Sequence, residues 1–185
     1  MSSDEIEAEV ISPNVSIEEA IVTVDPGEEF GPDSVRVVGH PKYLFDYVVR
    51  LERLFFSDRV ESLSVTIDGI NGGGLRNDAY PDIERRRLPE DALFSPQLDR
   101  DEAEDKARSV LRRYLNVQFA TFIIIGKTPD IELVQEDLAY VLYWLVPDDQ
   151  YMTATQTVSV VDSVTGRVLE SNQPLESVTG ELFDW

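Results

Sequence analysis

Few residues of this chain have the types and spacing that chemistry requires. His40 is the single histidine and there is no cysteine. Disulfides, zinc ribbons and thiol catalysis are thereby excluded. A Ser-His-Asp triad would need His40 as its base, and no nucleophile-elbow pattern accompanies it. Its place before Pro41 reads instead as a cap or turn at a helix start. Gly126-Lys127-Thr128 follows an apolar run, Thr121 to Ile125, and imitates the end of a phosphate-binding loop. That motif also needs a leading glycine and a following helix. Thr121 and Pro129 occupy those places, so the segment reads as a turn at a strand end.

Carboxylates are too abundant for pairs to mean much. Asp99, Asp101, Glu102, Glu104 and Asp105 gather at one helix start, where negative charge is stabilised. Asp148-Asp149 lie in a turn. Hard cations can visit such clusters, but no loop has the alternating oxygen-ligand spacing of an EF-hand. The expectation is a protein that is not an enzyme, with no catalytic residue, no cofactor and no metal ligand.

Two segments are candidates for partner binding. Arg85, Arg86 and Arg87 form the one basic cluster. It reads as a solvated loop, as an internal counterweight to the acidic excess, or as a docking contact. Leu182, Phe183 and Trp185 end the sequence with large apolar groups. Terminal residues stay loose unless tied down, and wet aromatics are favoured as interface anchors.

Charge bounds the setting. The chain has 36 Asp plus Glu against 16 Lys plus Arg, a net charge of −20 over 185 residues. Its lysines are Lys42, Lys106 and Lys127 alone. In dilute buffer this is a large self-repulsion; at molar salt the Debye length is about 3 Å and most of it is screened. The composition resembles that of halophilic archaeal proteins, which trade lysine for acid and keep arginine. Broad contact with nucleic acid is disfavoured, because phosphates need a basic surface. The N-terminal residues show no basic and apolar leader pattern. The longest apolar run, Leu138 to Val146, is about half of the ~20 residues that span a bilayer. These features predict a protein with no transmembrane segment, in the cytoplasm or in a virion.

The elements follow from periodicity. Residues 1–33 read as an acidic arm, with one short strand at Ala20 to Val24. Residues 34–70 read as a small β-α-β unit. Its parts are a strand at Val35 to Val38, a helix carrying Leu44, Phe45, Val48, Leu51, Phe55 and Phe56 on one stripe, and an alternating strand from Ser62 to Asp68. Residues 71–98 read as an irregular Gly- and Pro-containing loop. Residues 99–171 read as a helix with its own antiparallel sheet. Asp99 and Glu102 make a capping box, and Ala103, Ala107, Val110, Leu111, Tyr114 and Leu115 form the apolar stripe. Strands are expected at Phe119 to Ile125, Leu138 to Val146 and Met152 to Val161, the last turning through Gly166 into Arg167-Val168-Leu169. Residues 172–185 read as a C-terminal arm. The letters of Asp162 to Glu170 are echoed at Glu176 to Asp184, too briefly for a solenoid.

Val158 to Leu169 resembles the final hairpin of PepSY-type domains, which likewise set an amphipathic helix before an antiparallel sheet. The resemblance implies an α+β fold of PepSY or cystatin type over residues 99–171. It also implies a regulatory module that binds a peptide, a protease or a membrane-complex partner. The residues themselves favour a different role, that of a structural subunit in a larger assembly. Three irregular segments, 1–33, 70–98 and 172–185, would then order on other protein subunits, as a homo- or hetero-oligomer.

Overall fold

The computed structural model describes residues 4–26, 30–51, 58–118, 129–148 and 156–180. Eight strands lie among them: β1 (Glu5–Ile11), β2 (Arg36–Leu51), β3 (Arg59–Asp68), β4 (Gly74–Asn77), β5 (Ile83–Pro89), β6 (Asp130–Pro147), β7 (Thr157–Asp162) and β8 (Val168–Pro174). The helices are α1 (Ile17–Val24), α2 (Arg100–Gln118) and α3 (Leu175–Gly180). The protein is therefore α+β, with a mainly antiparallel sheet of eight strands. It divides into two compact units.

One unit comprises Lys42–Pro81 and Pro96–Leu138. Here β2, β3 and β4 form an antiparallel meander. Tyr43, Phe45, Tyr47, Val49 and Leu51 alternate along β2, and α2 lays Ala103, Ala107, Leu111 and Leu115 across them and across Leu63, Val65 and Ile67. The helix expected within residues 41–56 is absent from 41–51, which belong to β2, and the β-α-β unit is a meander instead; Phe55 and Phe56 lie outside the described residues. The apolar positions satisfy a period of two as well as 3.6. Aromatic and β-branched residues favour the strand, and continuous pairing with β3 from Lys42↔Asp68 to Leu51↔Arg59 supplies its hydrogen-bonding partner.

The other unit comprises Met1–Pro41, Asp82–Ser95 and Ala139–Trp185. It holds a second meander, β6-β7-β8. Helix α1 packs Ala20, Ile17, Ile21 and Val24 into a core with Leu142, Trp144, Val146 and Val161. Beside them β1 pairs antiparallel with β5, and it meets β6 in parallel at Val10↔Tyr140. The strand expected at Ala20 to Val24 is helix α1. A capping box starts it, with Ser16 Oγ accepting from Glu19 N and Glu19 returning the bond to Ser16 N, and Asp25 closes it in the left-handed conformation.

Four further expectations are corrected. The residues read as an N-terminal arm contain β1 and α1, and those read as an irregular loop contain β4 and β5. Residues 172–180 include the end of β8 and α3. Helix α2 packs chiefly on the meander before it in sequence, β2-β3-β4, with Ile131 and Leu133 from the start of β6 beside that core. Its capping box is as expected, with Glu102 N donating to Asp99 Oδ1 at 2.8 Å. The hairpin at Gly166 is also as expected, with φ +70°. The echoed letters are not a structural repeat, because the first copy turns between β7 and β8 and Glu176 to Gly180 is α3. The strand expected at Phe119 to Ile125, the turn Gly126 to Thr128 and Met152 to Thr155 lie outside the described residues.

Candidate interaction surface

The arginine triplet lies on β5, an end strand of the sheet, paired on one side with β1. No strand pairs with its other side among the described residues. The register sets Glu9 opposite Arg85 and Glu7 opposite Arg87. Directly opposed side chains share a face, so arginines and glutamates alternate across one exposed ribbon. Arg85 Nε approaches Glu9 Oε1 at 3.6 Å. Arg87 forms no ion pair within the described residues. The loop reading is thus replaced by a strand, and the counterweight reading holds for Arg85 and for Arg86, which pairs with Glu84. Exposed pairs of this kind contribute about 0–1 kcal/mol each.

Arg86 belongs to the opposite face. It borders a cavity of about 380 Å³ at the start of α1, lined also by Pro13, Asn14, Ser16, Glu18 and Trp144. Trp144 donates its indole N–H to the carbonyl of Val15 at 3.0 Å, fixing the chain that leads into α1. The cavity mixes one guanidinium with two helix-start glutamates, an arrangement that presents no single charge to a ligand.

In the α2 unit, Arg100, Glu104, Arg108 and Glu136 form a lattice of ion pairs. Hydrogen bonds to Glu136 and Asp101 raise the Arg100 pKa further above its usual range. The Arg108 guanidinium lies 5.7 Å from the Tyr47 ring centroid. The Tyr47 hydroxyl is buried without a hydrogen-bond partner among the described residues, and burial pushes its pKa up to about 12. A phenol so held stays protonated near neutrality and supplies no base. Helix α2 also borders a groove of about 330 Å³ with Gly72, Gly74, Lys106, Ser109 and Arg113. Lys106 and Arg113 make no ion pair among the described residues.

The remaining sequence candidates have structural places. His40 is not a cap: it is a buried residue of β2, edge-on to Tyr143 with ring centroids 6.4 Å apart. Asp148 accepts from Ser159 Oγ at 2.6 Å and from Asn172 N at 2.9 Å, bracing the end of β6 against β7 and β8. Asp149, Leu182, Phe183 and Trp185 lie outside the described residues. Among those described, no group of three or more His, Asp or Glu side chains is placed to hold a metal ion. None of their helices is long and apolar enough to cross a membrane.

Sequence reasoning placed the arginines correctly in the chain but missed the strand that carries them. The available signal was Ile83 to Leu88, where apolar ends flank a basic stretch complementary to the acidic Glu5 to Val10. Comparison with family models, with curated proteins and with solved structures finds no match for this chain.

Proposed function

We propose that this chain is a non-enzymatic interaction subunit of a larger protein assembly, working in a halophilic archaeal setting, in the cell or in an archaeal virus particle. The observation that carries the reading is the outer side of β5. It is an end strand bearing Arg85, Arg86 and Arg87 in a chain of net charge −20, and Arg87 forms no ion pair among the described residues. An end strand offers unpaired backbone groups to an added strand. Arginines along it select an extended partner segment rich in Asp and Glu, just as β1 on the inner side carries Glu5, Glu7 and Glu9. The same arginines discourage indiscriminate edge pairing. The test is affinity purification in molar KCl from a native extract, with wild type beside Arg85→Glu/Arg87→Glu. A stoichiometric partner held by the wild type and lost by the variant supports the reading. A wild type recovered alone, at its own mass, removes it.

A second reading rests on the architecture. A helix laid across an antiparallel meander occurs in each unit, and this favours the PepSY- or cystatin-like regulatory module. It separates from the first reading by ligand: a module of that kind binds a short peptide by itself, whereas an assembly subunit is recovered with whole protein partners.

A further inference from the structure

The two units are built alike in their details. In each meander a hairpin turn begins with an aspartate whose side chain closes it. Asp68 Oδ1 accepts from Ile70 N at 2.9 Å and Asn71 N at 3.0 Å; Asp162 Oδ1 accepts from Val164 N at 2.7 Å and Thr165 N at 3.0 Å. Each turn then passes through a left-handed glycine, Gly72 at φ +74° and Gly166 at φ +70°. The glycine N–H returns to the aspartate carbonyl at 3.0 Å in one unit and 2.8 Å in the other.

The residue after each aspartate does the same work. Gly69 O accepts from Gln97 N and Leu98 N, and Ser163 O accepts from Asn14 N and Val15 N. These donors lead into the helices, whose capping boxes are Asp99 with Glu102 and Ser16 with Glu19. An aromatic of each meander's first strand then donates to the carbonyl just before the cap. Tyr43 Oη reaches Leu98 O at 2.8 Å, and Trp144 Nε1 reaches Val15 O at 3.0 Å. Register agrees, with Tyr43↔Ile67 one step from Asp68 and Trp144↔Val161 one step from Asp162.

The sequence carries a matching trace. Residues 10–20 read VISPNVSIEEA and residues 93–103 read LFSPQLDRDEA. Val10 and Leu93, which open these segments, each make a parallel bridge, to Tyr140 and to Gly39. Serine, proline, acid and alanine recur in step with the cap and with the helix alanine buried in each core, Ala20 and Ala103.

We infer that the chain is one strand–helix–meander repeat occurring twice, with the helices exchanged. The first repeat is β1-α1-β2-β3-β4 and the second is β5-α2-β6-β7-β8. Helix α1 of the first packs on the meander of the second, and α2 of the second on the meander of the first. The fold is the single-chain form of a helix-exchanged dimer, and each unit is completed only by the other repeat. The segments that pack within a unit therefore come from both sides of the connection at residues 78–82, and an intact chain needs no second copy to finish either core.

The experiment exploits the absence of native cysteine. A Cβ built on Gly74 of β4 stands 3.8 Å from Val110 Cβ on α2, the usual separation across a disulfide. The full chain carrying Gly74→Cys and Val110→Cys, with a protease site at Ala79, is folded, oxidised and cut. Exchange predicts one covalently joined species in denaturant, which separates into two fragments on reduction. Two fragments before reduction, from a cut chain whose circular dichroism matches wild type, overturn it. As a second readout, the cut chain without added cysteines should remain a single particle in native buffer. Fragments that part and each keep a cooperative unfolding transition would show that every repeat holds its own helix.

Discussion

The Tyr43 hydroxyl donates to the carbonyl of Leu98 across 2.8 Å, tying β2 to the residue just before the cap of α2. A side chain of the sheet thereby fixes where the helix begins. The bond is half of a pair, matched by Trp144 on Val15.

Tyr43→Phe should keep the ring and lose the bond. A half-buried carbonyl then lacks its donor, and the expected loss is about 1–2 kcal/mol of stability. Urea unfolding checks it: the midpoint should fall while the slope stays constant. An unchanged midpoint would show that the bond does not position the helix.

Asp162→Ala removes the acceptor of two backbone N–H groups and should cost about 1–3 kcal/mol. Asp68→Ala should cost more, because Asp68 Oδ2 also pairs with Lys42 at 2.5 Å and the side chains are largely buried. Differential scanning calorimetry of the two variants should rank them in that order.

Gly166→Ala places a Cβ in the left-handed region and 2.9 Å from Val15 Cγ2. The conformational term alone is roughly 1–2 kcal/mol. Thermal unfolding should drop by several degrees. Gly31→Ala, with nothing within 4 Å of its Cβ position, is the control that should stay near wild type.

Tyr47 gives a pH dependence. Its folded pKa lies near 12 against 10.0 unfolded, raised chiefly by burial. The neutral form is the one the fold prefers. This contribution is present in full below pH 10 and is lost as pH rises through about 12, to a limit of ~3 kcal/mol. Stability measured from pH 9 to 12 should fall, and Tyr47→Phe should abolish that part of the fall. At neutral pH the same variant should be neutral or stabilising, because it removes a buried hydroxyl that has no partner among the described residues.

Salt should stabilise the whole molecule. With a net charge of −20, raising KCl from about 0.1 M to about 1 M shortens the screening length from roughly 10 Å to 3 Å. The melting temperature should climb across that range. A flat response would detach the acidic composition from the proposed setting.

How much of this was legible in the sequence depends on how local the deciding interaction is. Helix α2 was readable because its cap, stripe and charge pairs lie within one segment. The Gly166 hairpin was readable for the same reason. Residues 41–51 were misread because Leu44, Phe45, Val48 and Leu51 fit a helical stripe, and only the distant strand β3 decides for the other period. Helix α1 was misread as a strand because Ile21, Val22, Thr23 and Val24 are β-branched; the capping pair Ser16 and Glu19 outweighs them. On the surface, the arginine cluster was visible, but its strand depends on β1, far away in the chain. The repeat escaped notice because its segments are short and their spacing differs between copies.

Packing α1 on Leu142, Trp144, Val146 and Val161 has a consequence for how the protein is made. Chains emerge from the ribosome at about 5–20 residues per second. Helix α1 leaves early, while the strands it covers are still unwritten, and an isolated helix of two turns is marginal in water. The α2 meander is synthesised whole before α2 itself appears, so that unit closes first. The first helix to be synthesised is therefore among the last to dock, and for those seconds its apolar face is uncovered, open to chaperones, proteases and other unfinished copies.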